Sequence, residues 1–400
     1  MGLSVGIVGL PNAGKSTLFN ALLSKQQALA ANYPFATIEP NVGVVAVPDS
    51  RLGKLAEVVA RSGPSTSLRI SRPPVIPATV QFVDIAGLVK GAHKGEGLGN
   101  KFLAHIREAD LICHVLRGFE DPDVVHVAGG VDPKQDLEVV ETELMLADLE
   151  TLEKQREPFG FAQGKPQGQS TKEDLQKWEI ILRLKAALNQ NRRAIDAVTD
   201  EDEKELVKDL NLLTMKPILY ALNISEKDLE QSVILSPSIS LSVNSAKNLD
   251  HRRFKIGDPS SAEAPQDDNV VIVSAKIEAE LAALTDQEQK EYLKELGLEQ
   301  SGLERLITKA YGLLGLISFL TAGEKEVRAW TIKRGTTAPK AAGVIHTDFE
   351  TNFIKAEVVS FGDFVKVGGW VKAREQGKVR LEGRDYIVRD GDVIDFKVGV

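Results

Sequence analysis

Gly9-Leu10-Pro11-Asn12-Ala13-Gly14-Lys15-Ser16-Thr17 carries the first chemistry that can be read from this chain. It fits G-x-x-x-x-G-K-[ST] in full. Glycines at such positions let consecutive backbone N–H groups turn toward an anion, and a helix starting there adds the positive end of its dipole. In this loop Lys15 bridges the outer phosphates of a nucleotide, and the Ser16 hydroxyl ligates Mg²⁺. Asn12, Ala13, Gly14, Lys15, Ser16 and Thr17 are the expected phosphate-binding set, with Lys15 also catalytic. Asn12 carries two readings: a ligand for K⁺ beside the phosphates, or, more plainly, a residue that shapes the loop.

Asp84-Ile85-Ala86-Gly87 ends a later apolar run. Nucleotide hydrolases place an acidic residue near Mg²⁺ there, and a glycine whose N–H meets the γ-phosphate. Gly87 is therefore the second catalytic candidate. Thr37, in the segment 32–41 between the two motifs, stands where a switch hydroxyl completes the metal shell, so the expected metal set is Ser16, Thr37 and Asp84. The glycine-rich segment 88–97 suits a mobile switch. Many GTPases follow DxxG with a glutamine that orients the attacking water. Here Leu88 takes that place, and another group must do the work. The histidines at 93, 105, 114, 126, 251 and 346 are the natural suspects. His114 lies in the apolar run 111–116, where a satisfied core histidine competes with a catalytic one, and His93 on the glycine-rich segment ranks second. Without a glutamine or an arginine finger, turnover is expected near the intrinsic range of about 10⁻⁴ to 10⁻² s⁻¹.

A base-reading loop should follow a further strand. Asn223-Ile224-Ser225-Glu226 is the candidate, where GTPases carry Asn-Lys-x-Asp. Asn223 can still serve N7 and the loop backbone. The aspartate that pairs with two guanine donors is replaced by the longer Glu226, and the lysine that covers the base is gone. Ser274-Ala275-Lys276 matches the last guanine-nucleotide loop, whose backbone approaches the base.

The elements that must position these residues follow an α/β pattern. Ser4–Val8 reads as a buried strand, and a helix over about 15–24 follows the loop. Further buried strands are expected at Thr79–Asp84, 111–116, 217–223 and 270–274. Ligands of open α/β sheets sit at the carboxyl ends of the strands, so these endings converge on one crevice. The stretch 134–215 interrupts the pattern with two charged helices. Leu137, Val140, Leu144, Ala147 and Thr151 in the first, and Leu175, Trp178, Leu182 and Lys185 in the second, repeat like the seam of a helical hairpin. Thr171 with Asp174 resembles a capping box. The stretch 157–171 reads as a flexible tip and 236–269 as an exposed insertion. From about 324 the composition changes to short alternating strands, such as 328–332, 385–388 and 393–396, which indicates a small β-rich domain.

Composition bounds the class. Four hundred residues allow two or three domains, and an apolar share of 42% with 26% charged residues argues against a disordered or fibrous chain. The formal charge of −8 leaves nucleic-acid contact to a local patch. The residues from 324 to 400 hold 14 Lys or Arg against 12 Asp or Glu, an excess that either forms an RNA-facing patch, including Lys333, Arg334, Lys340, Lys372, Arg374, Lys378 and Arg380, or a solvated surface. The single cysteine, Cys113, excludes an internal disulfide and a cysteine-based zinc cluster, and reads as a core residue. The chain opens almost at once on a strand, without a leader, and no run of about 18 apolar residues occurs, so the expectation is a cytoplasmic protein without a membrane partner.

With these motifs assembled, the chain resembles the Obg-like ribosome-binding ATPases of the YchF type, within the translation-factor class of P-loop proteins. The likeness covers nearly the whole length. It includes 32–41, 84–100, the Asn-x-x-Glu variant at 223–226 and the terminal strings 327–332 and 345–349. The resemblance implies an α/β fold: a P-loop NTPase domain interrupted by a helical hairpin of coiled-coil type, plus a C-terminal β-grasp domain of the ubiquitin-like TGS kind. Its parts would be 1–133, the insertion 134–215, then 216–320 with linker helices, and 321–400. It implies ATP over GTP, read partly by backbone at Ile224, hydrolysis to ADP and phosphate, Mg²⁺, and His114 as catalytic histidine. It further implies association with the ribosome and its large subunit through ribosomal RNA or protein, without DNA. A binding module with structural nucleotide is the competing reading, as is a GTPase or dual-specificity enzyme. A metabolic kinase is disfavoured because no acceptor pocket is evident.

Overall fold

The computed structural model describes residues 3–32, 41–62, 72–85, 98–121, 131–158, 171–234 and 269–399. By contact the chain divides into two compact units, Met1–Gly43 with Gln81–Leu306, and Val44–Val80 with Ile307–Val400. In chain order the elements begin β1 (Ser4–Val8), α1 (Lys15–Asn32), β2 (Val42–Ala46), α2 (Ser50–Ser62), β3 (Val75–Ile76), β4 (Thr79–Asp84), α3 (Leu98–Glu108) and β5 (Leu111–Arg117). Next come α4 (Pro133–Glu153), α5 (Lys172–Asn189), α6 (Ala194–Ala197), α7 (Glu201–Val207), β6 (Ile218–Asn223), α8 (Glu226–Ile234), β7 (Val270–Val273), α9 (Ala275–Leu281), α10 (Asp286–Glu295) and α11 (Gly302–Leu313). The chain ends with β8 (Leu316–Ala322), β9 (Val327–Lys333), α12 (Ala338–Ile345), α13 (Thr347–Thr351), β10 (Phe353–Ser360), α14 (Phe361–Val367), α15 (Trp370–Glu375), β11 (Arg380–Glu382) and β12 (Asp392–Val398).

The first sheet runs β2-β4-β1-β5-β6-β7. Its inner strands pair in parallel, and register aligns their carboxyl ends: Ile7 lies opposite Asp84, Val8 opposite His114, and Asn223 opposite both Arg117 and Val273. A parallel sheet covered on both faces needs continuous apolar strands, which is why 111–116 and 218–223 carry so few polar residues. The five strands anticipated for this sheet are present with ends within one residue of expectation. Helix α1 starts at Lys15 as expected but runs to Asn32 instead of 24. The continuation through Lys25-Gln26-Gln27-Ala28-Leu29-Ala30-Ala31 consists of strong helix formers with no stop signal.

The helical insertion departs from the expected seam. On α4, Val140, Leu144 and Ala147 join the core beside Ile112, Leu116, Ile218 and Tyr220, so that stripe packs against the sheet. The other face, Met145 and Leu152, packs with Trp178, Ile181, Leu184 and Leu188 of α5 and with Ala194, Val207 and Leu212. Leu182, assigned to the seam, is 42% exposed. A two-helix stripe was the wrong template because α5 is buried by α4 and by the short helices after it together, which rotates its buried face. Asp148 is wholly buried and fixes this arrangement. It accepts hydrogen bonds from the Leu213 and Thr214 N–H groups, both at 2.8 Å, and from the Thr214 hydroxyl at 2.7 Å. The capping box at the start of α5 forms as read: Thr171 N–H donates to Asp174 and the Thr171 hydroxyl accepts from the Asp174 N–H. The segments 159–170 and 235–268, which hold most of the expected tip and insertion, lie outside the described residues.

In the second unit the sheet runs β11-β10-β12-β8-β9-β3. The β12–β8 pair is parallel, and β8–β9, β10–β11 and β10–β12 are antiparallel. Helix α12 buries Ala338, Ala341 and Ala342 against Phe319, Ile332, Ala356, Val358 and Ile394. The β8–β9 hairpin, helix α12 packed on the sheet, and the last strand lying between β10 and β8 form a β-grasp. Of the expected strands, 385–388 does not form: Ile387 makes only an isolated bridge to Thr337. Asp385 there belongs to a turn, and the turn residues dominate the short alternation. The stretch 44–80, read as part of the first domain, clusters with this unit. Its α2 buries Leu52, Leu55, Ala56, Val58 and Val59, and Arg51 forms ion pairs with Asp49 and Asp390, both at 2.8 Å. Among the described residues no helix is long and apolar enough to cross a membrane.

Candidate functional site

The segment after β1 adopts the expected strand-loop-helix form, and two of its glycines have no substitute. Gly9 has φ +151°, and a Cβ there would lie 2.5 Å from the Val115 carbonyl oxygen; Gly14 has φ +93°, and a Cβ would meet Asn223 Nδ2 at 2.2 Å. Asn12, at φ 64°, holds a left-handed position that asparagine tolerates. This geometry accords with the loop-shaping reading of that residue. Ala13 is buried, while Ser16 and Thr17 are exposed on the first turn of α1. Lys15 is 8% exposed, and its ammonium donates to the Leu10 carbonyl at 2.7 Å. Burial lowers its pKa, opposed by the charge of Asp84. The lysine therefore lies within the loop itself, close to the carboxylate that ends β4.

Asp84 is half-buried and its pKa is raised by that burial, against the pull of Lys15. Its N–H donates to the Asn41 carbonyl at 2.9 Å. Ser16 and Asp84 are hard oxygen donors of the kind Mg²⁺ takes, and no group of three or more His, Cys, Asp or Glu side chains gathers among the described residues to form a protein cage. One carboxylate plus a hydroxyl, completed by phosphate oxygens and water, is a typical Mg²⁺ donor set. The residues present fit that ion. Thr37, Gly87 and His93 lie outside the described residues.

His114 sits in the middle of β5, 1% exposed, beside Val8 and Tyr220 in the register. Its ring is 6.1 Å from that of Tyr220, whose hydroxyl donates to Glu141 on α4 at 2.8 Å. Nε2 is buried without a hydrogen-bond partner among the described residues. Burial, reinforced by the nearby Lys15 charge, pushes the imidazole pKa down to about 3, so the ring is neutral at physiological pH. Cys113, on the same strand, is fully buried, and its thiol pKa is raised by that burial to about 12. It is a core residue, as its apolar surroundings indicate.

The two base-reading loops are stitched to the phosphate loop by one side chain. The Asn223 amide donates to the Ala13 carbonyl at 3.0 Å and accepts from the Ala275 N–H at 2.9 Å. These bonds use the carbonyl oxygen and one of the two amide hydrogens, leaving one hydrogen for a ligand. The Ile224 N–H is taken by the Val273 carbonyl at 2.9 Å, so this residue offers a base its carbonyl and not its N–H. That narrows the expected backbone reading at Ile224 to the carbonyl. Ser274 is 2% exposed, and its hydroxyl has no hydrogen-bond partner among the described residues. Glu226, the first residue of α8, accepts from the Lys276 ammonium at 2.8 Å. Sequence reasoning missed Glu278, a buried carboxylate on α9 whose pKa burial raises, against backbone hydrogen bonds from Leu303 and Gly302. A glutamate in a charged helix carries no signal of this.

In the second unit the suggested basic patch is partly spent on local partners. Arg374 pairs with Glu357 at 2.8 Å, Lys378 with Asp363 at 3.6 Å and Arg380 with Asp392 at 3.5 Å. Lys333, Arg334, Lys340 and Lys372 are exposed.

Comparison with known proteins adds the family context. A family model described as "50S ribosome-binding GTPase" matches residues 4–157. Another, for the C-terminal region of YchF GTPases and described as a protein of unknown function, matches 316–399. The chain is similar to proteins named ribosome-binding ATPase YchF from Bacillus subtilis (47% identical), Haemophilus ducreyi (48%) and Escherichia coli O157:H7 (47%), each alignment covering 100% of both chains. The solved structure of the Schizosaccharomyces pombe YchF GTPase matches with a TM-score of 0.78 at 34% identity, covering 99% of this chain and 97% of that one.

Proposed function

This chain belongs to the YchF family, and from that premise we propose that it hydrolyses ATP in preference to GTP and binds the ribosome as a nucleotide-dependent switch. The observation that carries the reading is the junction at Asn223, which holds the phosphate loop, Asn223–Glu226 and Ser274–Lys276 together at the carboxyl ends of the parallel strands. Asn12, Ala13, Gly14, Lys15, Ser16 and Thr17 take the phosphates. Lys15 leaves the Leu10 carbonyl to bridge the outer phosphates, since an anion offers a charged acceptor in place of a neutral one. Ser16 and Asp84, with Thr37, would hold Mg²⁺, which would neutralise charge on the transferring phosphate. Gly87 donates its N–H to the γ-phosphate. A K⁺ ion at Asn12 is not needed by this scheme.

His114 acts, in this proposal, as a neutral imidazole: it positions the reacting region from the core beneath the phosphate loop. Its displacement by alanine lowers the chemical step more than nucleotide affinity. The large subunit is the proposed ribosomal contact, in keeping with the 50S of the first family model's description, while the relatives' names speak of the ribosome alone. The β-grasp unit, as a TGS-type domain, is the proposed surface.

The base preference follows from donor and acceptor matching. Guanine presents N1–H and a 2-amino group, which the aspartate of Asn-Lys-x-Asp accepts together. Glu226 is one methylene longer and already engaged. Adenine offers a 6-amino donor, which the Ile224 carbonyl accepts, and an N7 acceptor for the remaining Asn223 amide hydrogen. A mismatch leaves buried groups unpaired at about 1 to 3 kcal/mol, roughly a tenfold to hundredfold difference in affinity. Competition of unlabelled GTP against labelled ATP tests this, and equal or stronger competition by GTP refutes the ATP assignment. Single-turnover hydrolysis with and without ribosomes tests the switch. An unchanged rate and an unchanged affinity between nucleotide states would leave a binding module with structural nucleotide.

A further inference from the structure

We infer that Lys276 is a specificity-determining residue: by holding the Glu226 carboxylate in an ion pair it keeps that carboxylate from reading guanine. This deepens the ATP reading and rests on it. The Lys276 ammonium lies 2.8 Å from Glu226 Oε2, and these two residues belong to the two different base-reading loops. Neither loop is free to drift away from the other. Asn223 binds Ala13 and the Ala275 N–H, one residue before Lys276, and the Ile224 N–H binds Val273, one residue before Ser274. The starts of α8 and α9 are thus fixed side by side, with the glutamate of one facing the lysine of the other. The lysine pKa is raised, first by its hydrogen bond to Glu226, which accords with the pair being held.

Guanine recognition at this place needs a carboxylate with both oxygens turned to the N1–H and 2-amino donors. In this chain one oxygen is spent on an ammonium and the negative charge is compensated, so guanine has to break the pair before it is read. Adenine makes no demand on the carboxylate. Length alone would leave Glu226 able to reach guanine by a modest rearrangement of its extra methylene; the ion pair is the second barrier, and it comes from a residue outside the Asn-x-x-Glu motif. The Lys276 side chain is 70% exposed, so the pair is solvent-screened and its contribution is modest: about two- to fivefold in the ATP-to-GTP affinity ratio.

The test is nucleotide competition on the full chain with Lys276→Met, which keeps the apolar stem without the charge, Lys276→Arg, which keeps the pair, and the double variant Lys276→Met with Glu226→Gln. Lys276→Met is expected to raise the GTP-to-ATP affinity ratio about two- to fivefold. Lys276→Arg should keep the wild-type ratio, and the double variant should lose the gain, because a neutral amide cannot accept both guanine donors. If Lys276→Met weakens ATP and GTP alike, leaves the ratio unchanged, or gains GTP affinity that survives Glu226→Gln, the inference is wrong while the ATP assignment stands. A wild-type protein that prefers GTP overturns both.

Discussion

Lys15→Ala is expected to lower single-turnover ATP hydrolysis by about 10³-fold or more, since the loss of one charged group at the transferring phosphate is worth that much in comparable sites. The fold should survive. The side chain makes its hydrogen bond within its own loop, to Leu10, and the ammonium is a desolvated charge whose removal relieves a burial cost. Ser16→Ala is exposed on the first turn of α1 and should act through Mg²⁺, raising the metal concentration needed for turnover. Circular dichroism and thermal unfolding report the fold, and a quenched single-turnover assay reports the chemistry. Turnover within tenfold of wild type in Lys15→Ala would remove the phosphate-loop assignment.

His114 should make the protein acid-sensitive. Its pKa falls from the usual 6.5 to about 3 on folding, so below pH 6.5 the unfolded chain takes up a proton that the native chain refuses until about pH 3. Stability is therefore lost as the pH falls through that window. By pH 5 the loss attributable to this group is about 2 kcal/mol, taking roughly 1.4 kcal/mol per pH unit over about 1.5 units. Buried carboxylates act the other way: Asp84, Glu141, Asp148 and Glu278 all have raised pKa values, first through burial, and gain relative stability on acidification. The diagnostic is accordingly a difference. Urea unfolding at pH 7 and pH 5 should show the wild type losing about 2 kcal/mol more than His114→Leu, a substitution of similar volume on the same apolar face. Parallel losses in both proteins would mean that the imidazole is not held neutral. Because the ring does not titrate between pH 5 and 8, any catalytic contribution should give a flat pH–rate profile in that range where His114 is concerned.

Residue patterns alone made much of the phosphate site legible. The reason is locality: Gly9 to Thr17 is contiguous, its glycines answer a backbone requirement, and the neighbouring apolar runs announce strand and helix. The parallel strands could be read for the same reason, being apolar on both faces over five or six residues. The capping box at Thr171 and Asp174 was likewise local, a matter of two residues three positions apart. Resemblance, and not pattern, supplied the β-grasp domain and the preference for ATP.

Tertiary structure decided what depends on partners distant in the chain. The α4 stripe at Val140, Leu144 and Ala147 has helical periodicity whichever surface covers it, and only the packed sheet shows that the cover is β5 and β6. The stretch 44–80 sits between two nucleotide motifs, yet packing of α2 assigns it to the second unit. The sequence left His114 open between a catalytic and a core reading, and only the strands paired on both sides of β5 show that it is removed from water and held neutral. Lys276 and Glu226 are 50 residues apart, and no periodicity links them. Local signals report the backbone's needs within a few residues, whereas burial, pKa and ion pairing are set by whatever the fold brings within a few ångströms.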